Sequence, residues 1–120
     1  MISRIVVADD DPSAREGLRA LLAAWGYEVE TAPDGRIALE VVTAVHPKAV
    51  ITDVVMPSMT GLELLNVLHD KEPKLPIILL TSYASVGSSV DAIRRGAYAY
   101  LKKPIDVSTL KTVLASALAA

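Results

Sequence analysis

Residues 50–57 read "VITDVVMP": an apolar, β-branched run that ends on one carboxylate, Asp53, and is cut off by Met56-Pro57. A short continuous run of this kind suits a strand buried on both faces of a parallel sheet. Residues 5–8 and 77–80 have the same texture. Between these runs the period turns helical: Leu18, Leu21, Leu22 and Trp25 form one stripe, Ile37, Ala38, Val41, Val42 and Val45 a second, and Leu110, Val113, Leu114, Ala117 and Leu118 a third. Helix starts are marked too. Asp11-Pro12 reads as an N-cap followed by proline at the first helical position, residues 60–63 (TGLE) as a capping box, and Asp106 as a cap for the last helix.

Strand and helix therefore alternate five times, at roughly 3–9, 12–25, 27–32, 35–45, 48–53, 60–70, 76–81, 86–95, 98–101 and 106–118. Such alternation predicts an α/β fold, a five-stranded parallel sheet with right-handed crossovers and five helices on both faces. Ligands of open parallel sheets sit outside the carboxyl ends of the strands, so chemistry is expected there.

The 120 residues, of which 52% are hydrophobic and 22% charged, fit one folded domain covering 1–120 rather than a disordered chain. A net charge of -2 gives no basic footprint for a phosphate backbone, so no nucleic-acid binding is expected of this segment. Without cysteine there is no disulfide, thiol catalysis or thiolate metal site. No apolar run approaches the ~20 residues of a membrane helix, and "MISRIVVADDD" turns acidic where a signal peptide needs an apolar stretch. The chain is expected to act in the cytoplasm, away from the membrane.

Four groups of polar residues fall at the predicted strand ends: Asp9-Asp10, Asp53, Thr81-Ser82, and Lys102-Lys103-Pro104 just after the fifth strand. Three carboxylates drawn together repel one another unless a cation intervenes. Oxygen ligands with no nearby histidine or cysteine favour a hard ion such as Mg²⁺, with Mn²⁺ a second candidate. Lys103 offers a compact positive charge for a phosphoryl oxygen and Thr81 a short hydroxyl donor. Together these groups suit placing a phosphoryl group on Asp53.

In their order along the chain, "VVADDDP", "DGRIAL", "ITDVVMPSMTGLELL", "ILLTS" and "YLKKPID" make the sequence resemble the response-regulator receiver domains of two-component signalling, over residues 5–118. The resemblance implies the flavodoxin-like strand order 2-1-3-4-5. It implies that Asp53 accepts a phosphoryl group from the phosphohistidine of a sensor histidine kinase or a histidine phosphotransfer protein. Asp9 and Asp10 would be the acidic pair, Asp10 the more direct metal ligand, and Val55 would lend its backbone carbonyl to the metal; Asp11 is left to its helix cap. Lys103 would pair with the phosphoryl group, the Lys103-Pro104 bond would be cis, and Thr81 and Tyr100 would form the switch. Implied partners are an output domain or effector, and a second copy meeting this one through helix four, strand five and helix five. The texture from "GLELL" to "GAYAYLKKPID" resembles receivers attached to transcriptional activators.

Val55 and Tyr83 depart from the polar choices of some relatives and flank the expected path of the hydrolytic water, which predicts a long-lived phosphoaspartate. Ile105 stands where many relatives have phenylalanine, a change expected to touch packing more than chemistry. In "SVGSSVDAIRRGA", Gly87, Ser88 and Ser89 weaken the start of a helix whose inward stripe is expected to be Val90, Ile93 and Ala97. A helix weak at one end, beside Thr81 and Tyr100, suits a bistable output face.

Taken singly, Asp9-Asp10 could be a solvated loop, Asp53 a turn acid and Thr81 a cap; their joint placement carries the argument. Lys102 is expected to face solvent, His46 and His69 to be surface residues near helix ends, Trp25 to pack in the core and Tyr98 to lie in the core or at its rim. A phosphatase of the haloacid-dehalogenase kind would want an acid where Val55 stands, and a flavodoxin-like cofactor carrier would find its phosphate repelled by "ADDDP". The remaining alternative is a degenerate receiver that serves only as a phosphorylation-independent binding module.

Overall fold

The computed structural model describes residues 2–82 and 86–119. Strands and helices alternate through them: β1 (Arg4–Ala8), α1 (Pro12–Ala24), β2 (Glu28–Ala32), α2 (Gly35–Val45), β3 (Ala49–Asp53), α3 (Gly61–Lys71), β4 (Ile77–Thr81), α4 (Val86–Arg94), β5 (Ala99–Lys102) and α5 (Val107–Ala119). The five strands are parallel, in the order β2-β1-β3-β4-β5, which is the expected flavodoxin-like order. Ile51 of β3 lies between Val7 and Ile78, so "VITDVVMP" does open on a central strand.

Alternation along each strand sorts the core into two layers. Ile5, Val7, Ile51, Ile78 and Leu80 pack with Leu18 and Leu22 of α1 and Leu110 and Leu114 of α5. Val6, Val50, Ile77 and Leu79 pack on the other face with Ala38 and Val42 of α2, Leu64, Leu65 and Leu68 of α3 and Ala92 of α4. Full burial of an Ile, Leu or Val contributes roughly 1.5–3 kcal/mol. Burial on both faces explains why β1, β3 and β4 are continuously apolar rather than alternating.

The helix starts follow their sequence signals. Asp11 accepts from the Ser13 N–H at 3.0 Å, with Pro12 opening α1. Thr60 and Glu63 exchange the two bonds of a capping box, at 3.2 and 3.0 Å, and Asp106 accepts from the Thr109 N–H at 3.1 Å. Asp34 caps α2 in the same way, through the Ile37 N–H at 2.9 Å.

Three packing expectations need correction. Val90 and Ile93 do not face inward: they are 45% and 47% exposed, and α4 meets the sheet through Ala92, with Ala97 buried just beyond it. A small residue lets this short helix lie close to β5, which turns its larger apolar groups outward. Ile37 likewise is 39% exposed, while Ala38 and Val42 carry the α2 contact. His69 is half-buried rather than a surface group, its ring lying over Gly96, where an added Cβ would sit 2.6 Å from ring atoms. Gly96 also has φ +108, so two independent reasons require glycine there. His46 is exposed, with φ 49 at the end of α2. Tyr98 lies at the rim, its hydroxyl 2.7 Å from Ser116 Oγ, and Trp25 is partly buried against the α1–α5 layer with Lys111 Nζ 5.7 Å from its ring centre. Among the described residues no helix is long and apolar enough to cross a membrane.

Candidate functional site

The carboxyl ends of β1, β3 and β5 deliver four charged side chains to one place. Asp9, the residue after β1, is buried; Asp10 beside it is exposed; Asp53 closes β3; Lys103 follows the last residue of β5. Lys103 Nζ donates to Asp9 Oδ2 at 2.9 Å and to Asp53 Oδ2 at 2.8 Å. The other oxygens are held by backbone: Asp9 Oδ1 accepts from the Asp11 N–H at 2.9 Å, and Asp53 Oδ1 from the Val55 N–H at 3.3 Å. The central strand β3 thus ends on an acid paired across the sheet with a lysine 50 residues later.

Carboxylate oxygens of Asp9, Asp10 and Asp53 lie within 4.8 Å of one another. Burial by itself would lower the Lys103 pKa, but hydrogen bonds and charges from Asp53 and Asp9 outweigh it and raise the group above its ordinary 10.5. The stabilisation from this charge is therefore complete below about pH 10.5 and is lost as pH rises through the higher folded value. One ammonium still faces three carboxylates. An oxygen-only donor set with excess negative charge fits a hard divalent cation such as Mg²⁺.

Lys103→Ala should expose this imbalance by leaving buried Asp9 facing Asp53 without a counter-charge. Breaking a fully buried pair costs about 3–5 kcal/mol, and partial solvent access at Lys103 lowers the expected loss to about 2 kcal/mol. Calorimetric unfolding at neutral pH should show the loss, and millimolar Mg²⁺ should recover part of it. A deficit that Mg²⁺ leaves untouched would count against the charge explanation.

Neighbouring backbone fixes the cluster. The Val54 N–H donates to the Leu80 carbonyl at 3.0 Å, and the Gly61 N–H returns to the Val54 carbonyl at 2.9 Å. Gly61 sits so close to the Asp53 carbonyl that an added Cβ would collide with it, and Gly35 approaches the Met59 carbonyl in the same way. Between them the two glycines press the 54–60 loop against the site. The Lys103 N–H donates to the Thr81 carbonyl at 2.8 Å, and the Lys103-Pro104 bond is cis. Ile105 packs against the α1–α5 layer.

The structure thus brings Asp9, Asp10, Asp53 and Lys103 together directly. Thr81, buried at the end of β4, adjoins them through its backbone bond to Lys103. Tyr100 lies further off, its ring half-buried against the α2–α3 layer and its hydroxyl 2.8 Å from Ser88 Oγ in the first turn of α4. Val55 is 55% exposed, while Tyr83 lies outside the described residues. Sequence reading did not single out Arg15, whose Nη1 donates to the Asp9 carbonyl at 2.8 Å, nor Ser88 as the partner of Tyr100. A cavity of about 740 Å³ shares none of the cluster's residues and includes Ser3, Lys48, Lys74 and Tyr98 in its lining.

Comparison with known proteins places these features in context. Residues 5–115 match the family model described as "Response regulator receiver domain". Regulatory protein AtoC of Escherichia coli (strain K12) is 38% identical over 117 residues, which cover 98% of this chain and 25% of that protein. Response regulator MprA of Mycolicibacterium vanbaalenii is 44% identical over 107 residues, covering 89% of this chain and 46% of that protein. The chain therefore spans a quarter to a half of these curated relatives. A receiver domain from Methanospirillum hungatei JF-1 superposes with a TM-score of 0.93 at 31% identity, covering 99% of this chain and 95% of that one. A second, from Clostridium thermocellum, gives a TM-score of 0.93 at 28% identity, covering 98% and 95%.

Proposed function

This chain belongs to the response regulator receiver domain family, and on that premise we propose that it is a phosphorylation-controlled switch in which Asp53 accepts a phosphoryl group from a phosphohistidine. The observation that carries this reading is the Lys103 bridge between Asp53 and Asp9, beside a third carboxylate within 4.8 Å. An Asp53 carboxylate oxygen forms the new bond to phosphorus as the bond from phosphorus to the donor imidazole breaks, and the imidazole leaves as the neutral ring after taking up a proton. Lys103, charged at any physiological pH, donates to a phosphoryl oxygen, and the Thr81 hydroxyl supplies a second donor. Asp9, Asp10, Asp53 and the Val55 carbonyl would hold Mg²⁺, or Mn²⁺ in its place. The ion would offset charge on the carboxylates and the phosphoryl oxygens.

The chain acts as one receiver unit in the cytoplasm and turns over no substrate beyond its own phosphorylation and dephosphorylation. Its donor is a sensor histidine kinase or histidine phosphotransfer protein. Its output is a further domain or an effector, in transcription regulation as the resemblance to receivers attached to transcriptional activators suggests, and it contacts neither nucleic acid nor membrane itself. The face of α4, β5 and α5 carries the signal, either to the effector or across a dimer. Two observations support that face: exposed Val90, Ile93 and Tyr98, and the Ser88 bond that ties Tyr100 to the weak first turn of α4. Amide exchange in α4 and β5 should change on phosphorylation; an unchanged pattern there would remove this part of the reading.

Val55, apolar and exposed beside Asp53, offers no hydrogen bond from its side chain to an attacking water, which supports a phosphoaspartate that lasts hours rather than seconds. Loss of the group within seconds from purified phosphoprotein would overturn that expectation. The test of the central reading is intact mass after incubation with acetyl phosphate, with and without Mg²⁺. A gain of one phosphoryl group only with Mg²⁺ is expected. No gain from a folded protein would instead favour a binding module that works without phosphorylation.

A further inference from the structure

The acids at the end of β1 are held very unequally. Asp9 is buried, its N–H donates to the Ala32 carbonyl at 3.1 Å, and both its carboxylate oxygens are bonded. Asp10 is exposed, and among the described residues no side-chain hydrogen bond holds its carboxylate. The direction of its Cα–Cβ bond, and with it the space the carboxylate can reach, is set by the two peptide planes that flank it. A peptide unit is planar, so pinning one of its ends fixes both. The Asp10–Asp11 plane is pinned by the Asp11 N–H on Asp9 Oδ1, at 2.9 Å. The Asp9–Asp10 plane is pinned by Arg15, whose guanidinium reaches back from α1 to the Asp9 carbonyl at 2.8 Å, beyond the last β1 ladder pair at Ala8.

We propose that Arg15 is a positioning residue for the cation site: by fixing the Asp9 carbonyl it aims the Asp10 carboxylate at the space shared with Asp9 and Asp53. The role rests on the metal-binding reading given above. It also reverses the sign expected from charge. A guanidinium near a cation site repels the cation, so if charge were all that mattered, removing it would tighten binding. If Arg15 positions Asp10, removing it loosens binding, as losing a residue that orients a metal ligand usually does.

The experiment measures Mn²⁺ affinity from the free-ion signal in electron paramagnetic resonance, for the wild type, Arg15→Gln, Arg15→Ala and Arg15→Lys. Either neutral variant suffices, so a folding failure in one leaves the other to decide. Each neutral variant should bind Mn²⁺ more weakly, on the order of tenfold, with a circular-dichroism spectrum like that of the wild type and faster exchange of the Asp11 amide. Arg15→Lys, whose ammonium can reach the same carbonyl, should recover most of both properties. Neutral variants that bind as tightly as the wild type, or more tightly, overturn the role while leaving the phosphoacceptor reading in place. A wild type that takes up no Mn²⁺ defeats that reading and the role of Arg15 together.

Discussion

Asp53→Asn is expected to show no Mg²⁺-dependent gain of mass with acetyl phosphate, where the wild type gains one phosphoryl group. Asparagine has the shape of aspartate, and its Oδ1 can still accept from the Val55 N–H, so the 54–60 loop has no reason to move. What disappears is the nucleophilic carboxylate and one of three clustered negative charges. Lys103 keeps its bond to Asp9 but loses the one to position 53, where the amide NH2 replaces the accepting Oδ2, and the lone ammonium then faces two carboxylates instead of three. Relief of carboxylate repulsion offsets the lost ion pair, so the variant should remain folded and melt close to the wild type. That separates the outcome from simple unfolding. A variant that is folded yet still gains a Mg²⁺-dependent phosphoryl group would place the acceptor elsewhere.

Gly61→Ala should be destabilising even though alanine is normally the better helix residue by about 1 kcal/mol. A methyl at this position meets the Asp53 carbonyl and, at 2.9 Å, the Val54 Cα, both of them backbone and unable to swing aside. Forcing extra volume into a packed site costs about 1–3 kcal/mol. The net loss should be about 1 kcal/mol, with slower phosphorylation as the Asp53 backbone is displaced. Gly17→Ala is the matched control: it lies within α1 with nothing within 4 Å of its added Cβ, so propensity alone acts and a gain of about 0.5–1 kcal/mol is expected. Thermal unfolding of both variants by circular dichroism checks the pair. A stabilising Gly61→Ala would mean that α3 can pull away from β3 at little cost.

These two glycines mark where the sequence stops being informative. Both stand in helical stretches, and nothing local distinguishes the one against a strand end from the one in open solvent. The parallel sheet was legible because strands covered on both faces are apolar throughout, as in residues 77–80, and because Asp11, Thr60 and Asp106 announce helix starts within a few positions. The carboxylate–lysine cluster was legible for a topological reason: parallel strands carry their following residues to one edge of the sheet, where the long Lys103 side chain, two strands from Asp53, reaches across to it and to Asp9. Arg15 was not, because its bond runs back six positions across a turn and joins a side chain to a carbonyl, a pairing with no periodic signature. Val90 and Ile93 misled because hydrophobicity fixes the apolar face of a helix but not which way an edge helix turns it when small Ala92 offers a closer approach. Ser88 and Tyr100, 12 residues apart on different elements, needed the α4–β5 packing itself.

The single tryptophan has a practical consequence. Trp25 closes α1 at the end away from Asp11, about 20 Å along the helix from the acids. Its emission should therefore report whether the α1–α5 layer is intact while staying blind to cation uptake and phosphoryl transfer. Denaturant titrations followed by this one fluorophore would measure conformational stability in any ionic state of the domain, with no correction for occupancy of the acidic cluster.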